Sequence, residues 1–201
     1  MLFRSAGLYE SRTYDPADPG KPMLGALRKV WSSLWRFRAF EERSFRGIDQ
    51  RGVAMAVLVS RGFPAEDANG VALTANLFDA FSPAFYINVQ KGDTSVVLPP
   101  EGVTTDQIVY FFTYPGQPAT YLAHSSLVGA GETVLTNKEL YTLGKALDAI
   151  HTRFLHVYGK DPSKFYAMDV EFKFNTDPGD TESKLWIKQA RPHYGWSAGS
   201  Q

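Results

Sequence analysis

The spacing of apolar residues changes several times along the chain, and each change marks an element. Between positions 22 and 46 they fall at Leu24, Leu27, Trp31, Leu34, Trp35 and Phe45. That is close to the i, i+3, i+4 spacing of one buried helical face. Arg28, Arg36, Arg43 and Arg46 occupy other faces and read either as a solvated basic surface or as a basic lobe that meets an anion. From Val53 the pattern becomes a continuous apolar run to position 59, which predicts a short buried strand. Residues 71–74, 84–90, 94–98, 108–114 and 120–124 read as further strands, with Lys91-Gly92-Asp93 and Pro115-Gly116-Gln117-Pro118 as connections. Thr136 followed by Glu139 predicts a reciprocal helix cap. Leu140, Leu143, Leu147, Ile150, Phe154 and Leu155 then give a helical stripe, and Gly159 supplies its stop. Two strands, 166–174 and 184–191, close the chain around the acidic loop Asp177-Pro178-Gly179-Asp180. The sum is an α+β chain: a mainly antiparallel sheet with two long packed helices, expected as a single domain over 1–201.

Composition narrows the function classes. The 201 residues carry 21 basic and 21 acidic side chains and no cysteine. Neutrality argues against a nucleic-acid footprint, which needs a basic face. Without cysteine there is no disulfide frame, thiolate metal site or thiol nucleophile. No apolar run reaches the ~18–20 residues of a membrane span, and no secretory signal is visible, so a cytoplasmic chain with no membrane partner is expected. The balance is uneven, however. Residues 1–61 carry a net +5 and residues 62–201 a net −5.

The last strand pair carries the most pointed chemistry. Asp169-Val170-Glu171-Phe172-Lys173-Phe174 alternates polar and apolar, so Asp169, Glu171 and Lys173 share a face. On the partner strand Leu185, Ile187, Gln189 and Arg191 are expected to share one. A register that sets Glu171 beside Gln189 brings a carboxylate and an amide oxygen together, a donor set suited to magnesium. Arg191 adds a fork of donors for phosphate oxygens. The same pattern also describes an amphipathic edge hairpin with one wet face. Gly92-Asp93 suits either a ribose contact or a plain turn, and Thr74 either a phosphate contact or an ordinary strand. His151 and His156, five apart on the helix, are off the i, i+4 ligand spacing and read as packing or surface residues. Ser125-Ser126 lacks a nucleophile elbow. There is no P-loop and no dinucleotide glycine pattern.

Several segments, in order, resemble a known family. Ala6-Gly7-Leu8-Tyr9-Glu10-Ser11 resembles the Gly-Tyr-x-Ser segment in the nucleotide-binding domain of phosphoenolpyruvate synthases and pyruvate phosphate dikinases. Lys29 to Trp35 and Arg38 to Arg43 resemble that family's VWASLW…RA…R helix. Asn69 to Thr74 resembles its GVxxT strand, and Asp169-Val170-Glu171 with Lys188-Gln189-Ala190-Arg191-Pro192 its closing DxE…QARP. The resemblance implies an ATP-grasp-like lobe that binds ATP with Mg2+. It implies Glu171 and Gln189 as metal ligands, Arg191 on the transferring phosphate and Thr74 on the phosphate side. It places Asp93, where the family usually has Glu, near the ribose. Ser60 and Gly62, after the 55–59 strand, fall in the adenine-side hinge. The family's upstream lysine lobe, phosphohistidine domain and pyruvate barrel have no counterpart in these residues. The expectation is therefore the ATP-binding domain of a dikinase-like phosphotransferase, a fragment or split subunit completed by a protein partner. The alternative is a non-catalytic nucleotide-sensing or interaction module derived from it.

Overall fold

The helix predicted over 22–46 breaks in the middle, and its serines are the reason. In the computed structural model, which describes residues 8–63, 65–79, 81–161 and 164–193, it forms α1 (Met23–Ser32), a 3-10 turn (Ser33–Trp35) and α2 (Phe37–Phe45). The Ser32 and Ser33 hydroxyls donate back to the Lys29 and Val30 carbonyls, at 2.9 and 2.6 Å. Such local bonds compete with the helical ladder. The Ser33 hydroxyl also accepts from the Glu10 amide at 3.1 Å. Arg36 then leaves the helical region, at φ −65° and ψ 149°, and its guanidinium pairs with Glu10.

Two units emerge, Met1–Gly62 and Phe63–Gln201. In the first, the predicted strand 53–59 is not a strand. Val53, Met55 and Val57 are half-buried while Ala54 and Ala56 are exposed. The side chains thus alternate as a strand's would, but its unit holds no described strand to complete a ladder.

The second unit is a six-stranded antiparallel sheet: β1 (Ala68–Leu73), β2 (Phe85–Lys91), β3 (Asp106–Tyr110), β4 (Ala119–Ala123), β5 (Ala167–Asn175) and β6 (Lys184–His193), in the order β4-β3-β2-β1-β5-β6. The predicted strand 94–98 is absent, because β2 takes β1 and β3 as its neighbours. The 94–98 stretch is instead tied to the sheet by side chains: Asn69 donates to the Thr94 carbonyl at 2.9 Å and Asn88 to that of Val96 at 3.1 Å.

The long helix α3 (Asn137–Val157) packs on one face of this sheet through Leu140, Leu143 and Leu147, against Ile87, Ile108, Met168, Val170, Phe172 and Phe174. Its cap forms as predicted. The Thr136 hydroxyl accepts from the Glu139 amide at 3.2 Å, and the Glu139 carboxylate accepts from the Thr136 amide at 2.8 Å. Replacing Thr136 by alanine removes one half of this box and is expected to cost about 1 kcal/mol. Urea unfolding of the two proteins measures that difference. No described helix is long and apolar enough to cross a membrane.

Candidate functional site

The face of the sheet away from α3 carries the polar row. Strand partners lie on one face, and the registers line up Gln107, Asn88, Val71, Glu171 and Gln189 from β3 across to β6. The next row holds Leu73, Asp169 and Arg191. Glu171 and Gln189 are thus direct partners, with the Gln189 amide nitrogen 3.5 Å from Glu171 Oε1.

A bulge makes this possible. The β5–β6 register shifts between Glu171 and Phe172, leaving Lys188 as an extra residue on β6. Before it, Leu185 and Ile187 pair with Phe174 and Phe172 on the core face. After it, Gln189 and Arg191 pair with Glu171 and Asp169 on the open face. The expectation that Leu185, Ile187, Gln189 and Arg191 share one face is therefore corrected. One inserted residue reverses the alternation, and bulges re-aim side chains in this way.

Arg191 is held in place by Asp169, which accepts from Nε at 2.8 Å and from Nη2 at 2.6 Å on the same carboxylate oxygen. A guanidinium has five N–H groups, so this grip leaves others for a second acceptor. Lys173, the third polar residue of the alternation, pairs with the buried carboxylate of Glu66. It stays on the structural side of the ledger.

Glu171 and Gln189 offer hard oxygen donors: the carboxylate directly, the amide after a half-turn that exchanges its oxygen and nitrogen. Magnesium takes one or two protein oxygens and fills the rest of its octahedron with phosphate and water, so this pair fits it. Among the described residues no cluster of three or more His, Asp or Glu side chains offers an all-protein cage. Asn88, which the sequence did not single out, lies in the same row, and its buried carbonyl oxygen has no hydrogen-bond partner.

Thr74 lies elsewhere. Its hydroxyl is buried, accepts from the Met168 amide at 2.8 Å and lies 2.9 Å from His151 Nδ1 of α3. It therefore faces the helix side of the sheet, away from Glu171. Asp93 sits in the turn after β2, beside Gly92 at φ +67°, past the opposite end of β2 from Tyr86, where the Asp169–Arg191 row crosses it. Ser60 and Gly62 belong to the N-terminal unit and line its cavity.

The Thr74–His151 contact has a pH consequence. The hydroxyl already accepts from Met168, so its proton is free to donate to Nδ1, which favours neutral imidazole. Burial pushes the His151 pKa below its ordinary value, with Asp148 pulling partly the other way. In the unfolded chain the imidazole takes a proton at about pH 6.5, while the folded protein resists it until lower pH. Stability is therefore complete above pH 6.5 and falls as pH drops from there toward the folded value, since the unfolded state binds more protons in that window. Denaturant midpoints between pH 7.5 and 5 are expected to decline in the wild type and to stay flatter in His151→Phe.

A family model described as the pyruvate phosphate dikinase AMP/ATP-binding domain matches residues 6–201. No curated protein gives a match.

Proposed function

The chain belongs to the family of the pyruvate phosphate dikinase AMP/ATP-binding domain, and from that premise we propose that it binds ATP as its magnesium complex on the open face of the β5–β6 hairpin. Glu171 and Gln189 hold the metal, and Arg191, oriented by Asp169, holds a phosphate oxygen. The single observation carrying this reading is the cross-strand pairing of Glu171 with Gln189, one row from Arg191. Glu171 and Gln189 would hold the metal, and Arg191, on the adjacent row of the same face, would hold a phosphate oxygen beside it.

Magnesium supplies charge neutralisation on the polyphosphate. The protein's part is placement. The bulge at Lys188 presents Gln189 and Arg191 to the same side as Glu171, and the Asp169 grip fixes the guanidinium before ligand arrives. Pre-set donors of this kind are how phosphoryl transfer is assisted, since the reaction asks chiefly for positioning and charge stabilisation. The family link supports a role in a dikinase-like phosphotransferase, with the phosphoryl acceptor bound outside the residues named here.

Calorimetric titration with ATP tests the proposal. Heat is expected with Mg2+ present, with a large loss when EDTA removes it. Equal binding in the two conditions would contradict a metal held by Glu171 and Gln189.

A further inference from the structure

β1 ends at Leu73, whose register partner on β5 is Asp169. The contact between the two strands runs one residue further, and there a side chain takes over from the backbone. The Thr74 amide donates to the Met168 carbonyl at 3.0 Å, and the Met168 amide donates to the Thr74 hydroxyl at 2.8 Å. Both backbone hydrogen-bonding groups of Met168 therefore go to Thr74. On its other side Met168 faces Pro192 of β6, which has no N–H to offer. Met168 is fully buried and Thr74 is 4% exposed, so bulk water reaches neither.

The hydroxyl has a further partner. His151 Nδ1, on α3, lies 2.9 Å from it. An oxygen that accepts from Met168 and gives its proton to His151 is held in one orientation, so a single side chain ties the end of the sheet to the helix. His151 leans in turn on the Tyr166 ring, with 5.2 Å between centroids, one residue before β5. The residue that follows Met168 is Asp169. It turns to the open face and grips Arg191 through Nε at 2.8 Å and Nη2 at 2.6 Å. Neither side chain of that pair is fully buried, so packing alone does not fix them. The aim of the guanidinium follows from where β5 leaves Met168.

We propose that Thr74 is a positioning residue for Arg191. With its hydroxyl oriented by His151, it sets the β5 backbone at Met168, and through it the Asp169 carboxylate that aims the guanidinium at phosphate. The inference rests on the reading of Arg191 as the phosphate holder. It gives Thr74 a part in ligand binding from the opposite face of the sheet, without contact to the ligand. A buried amide that loses its acceptor loosens the backbone around it. A donor that is no longer pre-set must be ordered on binding, which lowers affinity.

The test is Mg-ATP affinity by calorimetry for the wild type, Thr74→Val, Arg191→Ala and the double variant. Valine keeps the shape of threonine and loses the hydroxyl. Thr74→Val is expected to weaken binding about five- to tenfold in the wild-type background, and less than about twofold once Arg191 is alanine, because the group it positions is gone. Thr74→Ser, which keeps the hydroxyl, is expected to stay within about twofold of the wild type. A merely structural threonine would give the same loss in both backgrounds. The inference is overturned if Thr74→Val binds as the wild type does, if its loss is equal in the two backgrounds, or if Thr74→Ser loses as much as Thr74→Val. Arg191→Ala alone reports on the reading beneath. Unchanged affinity there contradicts Arg191 as the phosphate holder and this inference with it, whereas a loss there with an additive Thr74→Val removes this inference only. Should Thr74→Val fail to fold, His151→Leu replaces it, since that removes the acceptor of the hydroxyl proton and leaves the Met168 bond in place. A loss of about threefold that vanishes in the Arg191→Ala background supports the proposal. No loss, or the same loss in both backgrounds, rejects it.

Discussion

Replacing Gly70 by alanine is expected to destabilise the C-terminal unit by about 3 kcal/mol, the upper part of the range for overpacked cores. Gly70 lies in β1, between β2 and β5. A Cβ there would approach Phe172 Cζ to 2.4 Å and the Asn88 carbonyl oxygen to 2.8 Å. Neither neighbour can yield easily. Phe172 is 1% exposed and packed into the core under α3, and the Asn88 carbonyl is sheet backbone. Relief would require displacing a core ring or separating two central strands. Gly52→Ala is a fitting control, because a Cβ there meets nothing within 4 Å. The expected readout is a lower denaturant midpoint with an unchanged slope for Gly70→Ala, and little change for Gly52→Ala. Equal midpoints for the two variants would mean that Phe172 does not pack across β1 as described.

The second large effect concerns ligand. Glu171→Ala removes the one charged metal donor of the proposed site, and a hydrogen bond or contact to a charged group is worth roughly 1.5–3 kcal/mol. Affinity for Mg-ATP is therefore expected to fall about 10- to 100-fold, each tenfold being about 1.4 kcal/mol. Gln189→Ala, which removes a neutral donor, is expected to cost less. If both donors bind one ion, the double variant should cost less than the two single losses together, because the second donor has little left to hold once the first is gone. Full additivity would indicate that Glu171 and Gln189 act on different groups. Melting curves without ligand separate this from a folding defect, since Glu171 and Gln189 are on the open face and their 3.5 Å contact is weak.

Most elements were visible in the sequence for local reasons. The Thr136–Glu139 cap, the leucine stripe of α3 and the alternation of β5 are determined within a few residues, and all three appear as read. The errors came where a distant partner decides. The run 53–59 has strand-like alternation but no partner strand in its unit, and 94–98 lost its pairing to β1 and β3, which flank β2 on both sides. The break at Ser32 and Ser33 was also readable in principle, as two adjacent side chains able to bond back to the helix.

The candidate site was legible in its chemistry and less so in its geometry. Alternation identified Asp169 and Glu171, and the possibility of a Glu171–Gln189 pairing, but placed Leu185 and Ile187 with Gln189. No local signal announces the extra residue at Lys188 that separates them. Thr74 looked available for phosphate because its partners, Met168 and His151, are 94 and 77 residues away. The burial of Arg43 was hidden for a similar reason. A single arginine on a basic helix looks solvated, and only the fold shows it buried beside Gln50 and Trp35.

The central claim, a metal ion held between Glu171 and Gln189 with ATP, is tested most directly by replacing Mg2+ with paramagnetic Mn2+ and recording side-chain amide signals by NMR with ATP present. The Gln189 side-chain amide is expected to broaden strongly at substoichiometric Mn2+. That of Gln117, in the turn between β3 and β4 toward the opposite edge of the sheet, is expected to stay sharp. A Gln189 signal that remains as sharp as that of Gln117 would contradict the claim.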